Sequence, residues 1–308
     1  MQSIVIATRA SPLALWQAEH VQSVLRAAHP QLSVQLLRLS TRGDEVLDRS
    51  LAKIGGKGLF IKELEVALMD GCADLAVHSF KDVPMQLEPA FEIGAVLQRE
   101  DPRDCLVSPR FGALSELPAG ARVGSSSLRR ELAVRIHFPR LAVGPVRGNV
   151  GTRLAKLERG EFDALIMAAA GLKRLGLADR IAQVLPTTQF LPAPGQGALA
   201  IEIRAGDARI RELIAMLEHG PTRAATRAER MVSRALGGSC QVPLAAYAEV
   251  EGSQLRLRAW AGSLARAQAV QASALGSFEQ AEALGQQVVD QMKAQGVEQL
   301  LAAGPEAG

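Results

Sequence analysis

Residues 236–243 read LGGSCQVP, a cysteine in a small, polar, flexible setting. Gly237 and Gly238 open the backbone, Ser239 and Gln241 flank the thiol of Cys240, and Pro243 stops a helix from continuing. A structural cysteine usually sits among apolar neighbours, and this one does not. Its sulfur could serve a disulfide, a metal, a nucleophile or a covalent tether. Cys72 and Cys105 are the other two cysteines, far away in sequence, and no C-x-x-C occurs. A disulfide framework or a cysteine-rich zinc site is therefore not expected. Of the five histidines, none stands in a recognisable catalytic motif.

Cationic groups recur where a strand gives way to a helix. IATRASP places Arg9 between a strand and a helix start at Ser11-Pro12. VGSSSLRR places Arg129 and Arg130 after a serine-rich turn that includes Ser127, and PVRGNVGTR places Arg147 before Gly148 with Arg153 following. Open α/β sheets bind ligands at the carboxyl ends of their strands. Helix starts offer free N–H groups to anions, and guanidinium forks match carboxylates at two points. Any one arginine is ordinarily just solvated, but the set points to a ligand with several negative groups. Phosphate is a rival ligand, although no G-x-x-x-x-G-K-[ST] is present. HSFKDVP (78–84) adds Lys81 and Asp82 at another strand end. An Asp-Val-Pro turn explains it equally well. His78 reads as a packed strand residue, since no second ligand lies at metal spacing.

The elements that must position these groups alternate between strand and helix. Residues 4–7 read as a strand, the segment from Ser11 to His29 as a helix and 34–39 as a strand, which predicts a parallel sheet. Residues 40–58 are charged and glycine-rich without clear periodicity, a long loop of the functional kind. A helix over 60–70 and a buried strand over 73–79 follow. A second α/β block begins near residue 100, with strands at 122–124, 141–147 and 164–169 and helices after SSSLRR and over 150–158. Past the Pro/Gly-rich LPAPGQG, 198–203 reads as a strand. A long helix over 222–236, a hairpin at 250–255, a strand near 268–274 and a helix over 278–294 then suggest a small α+β domain.

With 308 residues, 48% hydrophobic and 22% charged, the chain suits two or three globular domains. A net charge of +3 is too small for a general nucleic-acid binder. The amino-terminal apolar run is short and broken by Arg9, no stretch approaches a membrane span, and a cytoplasmic setting is expected.

Ten ordered segments together resemble the porphobilinogen deaminase (hydroxymethylbilane synthase) family almost end to end. They are IATRASPLALWQA, STRGD, KGLFIKELE, DLAVHSFKDVP, REDPRDCLVS, GSSSLRR, RGNVGTRL, AGLKRLG, LPAPGQGALAIE and GGSCQVP. The resemblance implies three α/β domains, the first two like two-lobed periplasmic binding proteins. Lobe 1 would comprise 1–98 with 198–217, lobe 2 99–197, and a carboxy-terminal α+β domain 218–308. It implies a dipyrromethane cofactor joined to Cys240 through a thioether, porphobilinogen as substrate, and Asp82 as the catalytic carboxylate. Arg9, Ser11, Lys81, Ser127, Arg129, Arg130, Arg147 and Arg153 would bind cofactor, substrate or growing chain. Lys53 and Lys57 would lie on a mobile lid spanning 41–58. A monomer without nucleic-acid, membrane or metal partners is expected. Phe80, Ser125 and Pro194 stand where the family often has methionine, threonine and valine, and none of these changes removes a charged or nucleophilic group. A small-anion binding protein with two lobes would share the arginines, but not KDVP or an occupied Cys240. An interaction protein using basic loops would turn over no small molecule.

Overall fold

The computed structural model describes residues 3–40, 61–238 and 242–302. In chain order the first elements are β1 (Ser3–Arg9), α1 (Pro12–Ala28), β2 (Ser33–Leu39), α2 (Lys62–Met69), β3 (Leu75–Ser79) and β4 (Phe91–Val96). Then come β5 (Asp104–Val107), β6 (Arg122–Gly124), α3 (Leu128–His137), β7 (Ala142–Gly144), α4 (Val150–Glu158), β8 (Ala164–Ala168), α5 (Ala169–Arg174) and β9 (Gln183–Val184). The chain continues through β10 (Leu199–Arg204), α6 (Ala208–Ile214), α7 (Gly220–Ala235), β11 (Leu244–Glu251), β12 (Gln254–Ser263), β13 (Gln268–Ser277), α8 (Ala281–Ala294) and α9 (Val297–Ala302). Two compact units result. One comprises Met1–Glu100 with Gly197–Arg223, the other Asp101–Gln196 with Ala224–Gly308.

The first unit holds a five-stranded sheet of order β2-β1-β3-β10-β4. β1 runs parallel to β2 and β3, but β10 is antiparallel to β3 and β4. The expected parallel sheet is thus a mixed one. The βαβ crossover dictates parallel neighbours only for the opening strands, whereas β10 arrives from a distant part of the chain. Both faces are covered, which is why β1, β3 and β10 read as continuous apolar runs rather than alternating ones. Ala18, Val21 and Leu25 of α1 and Ile210 and Ile214 of α6 pack on one face. Leu64, Ala67 and Leu68 of α2 pack on the other. α1 forms where the sequence asks for it: Ser11 Oγ accepts the Ala14 N–H, Pro12 opens the first turn, and Ala14, Ala18, Val21 and Leu25 bury one stripe.

The second unit contains a five-stranded sheet of order β7-β6-β8-β5-β9 and a three-stranded antiparallel sheet of order β11-β12-β13. In the larger sheet β6 lies parallel to β7 and β8, and β5 antiparallel to β8. Ala133 and Val134 of α3 cover one face, and Leu154 and Leu157 of α4 cover the other. On the small sheet, Leu255, Leu257, Ala259 and Ala261 of β12 meet Ala228 and Val232 of α7 and Val288 and Val289 of α8. β13 continues to Ser277, paired with Gln254, so the last long helix starts at Ala281 rather than at 278.

The glycines before Cys240 have a definite task. Gly237 sits at φ +67°, a left-handed backbone that ends α7. The Gly238 N–H then donates back to the Ser233 carbonyl at 2.6 Å. A Cβ on Gly238 would lie 2.6 Å from that same carbonyl oxygen. Gly238→Ala must therefore displace backbone, and we expect a loss of about 1–3 kcal/mol in stability, read as a lower midpoint in thermal or urea unfolding.

Candidate active site

In the first unit the register places the predicted groups at one sheet edge. Ile6 and Ala7 of β1 stand beside Leu75 and Ala76 of β3, so both strands end together. Arg9 closes β1, Ser11 caps α1, and β3 runs into a single 3-10 turn, Phe80–Asp82. That turn is anchored from below. Phe80 N–H donates to the Ala198 carbonyl at 3.0 Å, and Phe80 and Val83 are buried against Val96, Ala198 and Ala200. Between these anchors Lys81 is half-buried and Asp82 exposed. KDVP is thus a turn, and also a fixed platform for a carboxylate at the carboxyl edge. Lower in the same strand, His78 Nε2 lies 2.8 Å from Glu202 Oε2 of β10, both buried. His78 is a packed strand residue. Nearby Glu65 is raised from its ordinary range by burial and then by the Glu202 charge.

In the second unit the parallel strands β7, β6 and β8 end at one edge, and three loops gather there. Ser125 N–H donates to the Gly144 carbonyl and Ser126 Oγ to the Val146 carbonyl at 2.6 Å, tying the SSS turn to the loop carrying Arg147. Ser127 Oγ accepts the Arg130 N–H and caps α3. Asn149 Oδ1 accepts the Thr152 N–H at 2.9 Å and caps α4. Between them Gly148 sits at φ +103°, where a Cβ would meet Thr152 at 2.6 Å. Its carbonyl accepts from Arg153 Nε at 2.8 Å. Arg147 and Arg153 are half-buried.

Arg129 and Arg130 stand elsewhere than on an open surface. They are 4% and 6% exposed, and both grip Asp104, which is 0% exposed. Asp104 opens β5 opposite Ala168, the last residue of β8, so it reaches the same edge. Arg129 Nη1 donates to Asp104 Oδ2 at 2.7 Å and to the Leu191 carbonyl at 2.7 Å, and Nη2 donates to Oδ1 at 3.1 Å. Arg130 donates to Oδ1 from Nε at 3.1 Å and Nη2 at 2.8 Å, and from Nη1 to the Ile166 carbonyl at 3.0 Å. Gln196 Nε2 adds a fourth donor nitrogen to Oδ1 at 2.8 Å. Burial alone would raise the Asp104 carboxyl group, but the guanidiniums, Arg129 first, outweigh it and hold it well below the usual carboxylate range. The stabilisation this ion cluster gives is complete above about pH 4 and is lost only as pH falls through the lowered folded value. It should therefore not titrate across neutral pH.

Two cations share one carboxylate, so the cluster carries surplus positive charge. Arg129 Nε is buried and has no hydrogen-bond partner. A buried donor left unmet is costly, and both features fit a site completed by an anionic group. The sequence reading missed Asp104 and Gln196. A signal existed: two arginines at a helix start oppose the helix dipole, so burying them demands an acid, and REDPRD supplies one. Cys240 with Ser239 and Gln241, and the lid expected over 41–58 with Lys53 and Lys57, lie outside the described residues. Among the described residues, no group of three or more His, Cys, Asp or Glu side chains could hold a metal ion, and no helix is long and apolar enough to cross a membrane.

Comparison with known proteins agrees with the motifs. Residues 4–212 match the family model for the porphobilinogen deaminase dipyrromethane cofactor binding domain, and 224–294 match the porphobilinogen deaminase carboxy-terminal domain. Porphobilinogen deaminase of Chromobacterium violaceum is 56% identical over 303 residues, covering 98% of each chain. That of Thiobacillus denitrificans is 52% identical over 305 residues, covering 99% of this chain and all of the other. Among solved structures, a periplasmic substrate-binding protein of Coxiella burnetii is 15% identical with a TM-score of 0.43, over 72% of this chain and 94% of that one. That distant likeness adds nothing to the sequence relatives. On the two family models and the near full-length identity, the chain belongs to the porphobilinogen deaminase family.

Proposed function

We propose that this chain is a hydroxymethylbilane synthase: it deaminates and joins four porphobilinogen molecules head to tail on a covalently held dipyrromethane, then releases the linear tetrapyrrole hydroxymethylbilane by hydrolysis. The single observation that carries the chemistry is the buried cluster of Arg129, Arg130 and Asp104, with surplus positive charge and an unmet donor at a sheet's carboxyl edge. The ligands are carboxylate-rich, since each pyrrole carries an acetate and a propionate. When bound, the dipyrromethane supplies the pyrrole α-carbon to which the first substrate unit is joined.

The protein's own groups divide the work. Cys240 holds the cofactor as a thioether, so that the product can leave while the primer stays. Arg129, Arg130, Arg147 and Arg153, with Ser127 and the capped starts of α3 and α4, grip carboxylates of cofactor and chain. Arg9, Ser11 and Lys81 do the same from the edge of the first sheet. Asp82 stands apart in role. Loss of ammonia from porphobilinogen leaves a delocalised cation on the ring and its methylene. A carboxylate stabilises that charge, whereas arginines would repel it. Asp82 is therefore the catalytic residue, its position fixed by the anchored turn. Lobe 1 (1–98 with 198–217) carries Asp82, lobe 2 (99–197) the arginines, and the domain over 218–308 the cofactor cysteine. The enzyme works as a cytoplasmic monomer on a small-molecule substrate.

Arg130→Ala should weaken the hold on cofactor and substrate carboxylates roughly ten- to hundredfold, the value of one charge-assisted hydrogen bond, and so leave the covalent cofactor incompletely loaded. Folding should suffer less, because Arg129 still neutralises Asp104. Intact mass reads the first effect and thermal melting the second. The function as a whole is tested by incubating the purified protein with porphobilinogen. One ammonia should appear for each porphobilinogen consumed, together with a product of four joined rings. Binding of porphobilinogen with no ammonia released would contradict the proposal and leave the anion-binding reading.

A further inference from the structure

We propose that Asp104 is a positioning residue for carboxylate recognition: it holds Arg129 and Arg130 as one rigid pair and cancels one of their two charges. This rests on the assignment of those arginines to cofactor and substrate. Three features carry it.

The first is donor arithmetic. Oδ1 of Asp104 accepts from Arg129 Nη2, from Arg130 Nε and Nη2, and from Gln196 Nε2, while Oδ2 accepts from Arg129 Nη1. Arg129 meets the carboxylate with its end and Arg130 with its side, so the two planes cannot turn independently. The Leu191 and Ile166 carbonyls fix the far corners. A guanidinium has five N–H groups. Arg129 therefore keeps its Nε–H and one Nη2–H uncommitted within these contacts, and that Nε is buried without a partner.

The second feature is charge. Two adjacent guanidiniums at the start of α3 repel each other and meet the positive end of the helix. One carboxylate between them leaves a single surplus charge, suited to one incoming carboxylate. With no carboxylate, the pair would be too costly to keep buried.

The third is placement. Asp104 is the first residue of β5, antiparallel to β8, and the chain reaches it from Asp101–Pro102–Arg103. Asp101 is tied in turn to Arg103 Nη2 and Lys173 Nζ at 2.8 and 2.9 Å. The carboxylate is thus set by the sheet and by a braced approach, not by a loose loop.

The test uses the full-length chain. Asp104→Glu keeps the charge but pushes the carboxylate one methylene further into the arginines. The melting temperature should fall by no more than the cost of overpacking one methylene in a buried site, whereas KM for porphobilinogen should rise roughly ten- to hundredfold with a smaller change in kcat, as expected for lost binding geometry. Asp104→Asn should fold poorly and carry little cofactor by intact mass. In Asp104→Asn combined with Arg130→Gln the surplus charge returns to that of the parent, so the melting temperature should recover, while cofactor occupancy should fall below that of Arg130→Gln alone, which lacks the same arginine but keeps the carboxylate. Parent KM and parent occupancy in Asp104→Glu would overturn the proposal. So would a double variant that is stable and carries as much cofactor as Arg130→Gln alone, because Asp104 would then only balance charge for folding. Failure of the unaltered enzyme to release ammonia would instead count against the proposed function, so the two failures are distinguishable.

Discussion

Cys240→Ser is expected to yield a folded protein with no covalent cofactor and no measurable condensation of porphobilinogen. A hydroxyl replaces a thiol of nearly the same size, and the flanking sequence LGGSCQVP is small and polar. Little stability should be lost. The nucleophile, however, changes fundamentally. A thiol is several per cent ionised near neutral pH and is intrinsically very nucleophilic, whereas a serine hydroxyl needs a partner base to react at all. With no tether, no primer is retained, and each chain would have to start from free substrate. The loss should be close to complete rather than partial, because it removes the acceptor and not one contact among many. Thermal melting would verify the fold, and intact mass would show a chain at the bare sequence mass. A serine variant still carrying the full adduct would place the attachment elsewhere.

Asp82→Asn is expected to reduce turnover by roughly three orders of magnitude in protein that carries its cofactor. The charge that develops during deamination is positive and spread over the pyrrole and its methylene. A carboxylate about 4 Å away stabilises such a charge by ~4 kcal/mol at an effective dielectric near 20, which is close to a thousandfold in rate. The exposed setting of Asp82 suits that dielectric rather than a lower one. The interaction strengthens as the cation forms, so it favours the transition state over bound substrate. Asparagine keeps the shape and one acceptor but loses the charge. Asp82→Glu keeps the charge and displaces it, and should retain more activity. Cofactor content has to be measured in each variant, since a failure to assemble the primer mimics a catalytic defect. Near-parent turnover in fully loaded Asp82→Asn would reduce KDVP to a turn.

Some of this architecture was legible in the sequence because local chemistry decides it. Ser11-Pro12 and the stripe Ala14, Ala18, Val21 and Leu25 define α1 wherever the rest of the chain goes. The Ser127 and Asn149 caps mark the starts of α3 and α4, and Gly237 marks the end of α7. Other features depend on partners far along the chain. Nothing in the periodicity of 199–204 says that β10 lies between β3 and β4, antiparallel to both. Short elements such as β4, β5, β9, α5 and α6 carry too few residues for a period to show, and β5 is given its place by pairing with β8. The same limit applied at the site. The arginines announced themselves by position at strand-to-helix junctions. Asp104 lies 25 residues before Arg129, and only the folded sheet brings it to them. Sequence alone reads Arg129 and Arg130 as groups for a ligand with several negative charges, and the structure shows them buried and already committed to Asp104. That is the reason their role is shared with a carboxylate that motif reading passed over.

The most direct test of stepwise condensation on a retained primer is intact mass spectrometry of the purified chain, before and shortly after mixing with a few equivalents of porphobilinogen. Before mixing, the chain should exceed its sequence mass by one dipyrromethane. After mixing, it should show discrete increments, each equal to one porphobilinogen less one ammonia, up to four and no further, and only chains that have gained four units should return to the starting mass, by hydrolytic release of the tetrapyrrole. A chain at its bare sequence mass that gains only intact, dissociable porphobilinogen would contradict the account.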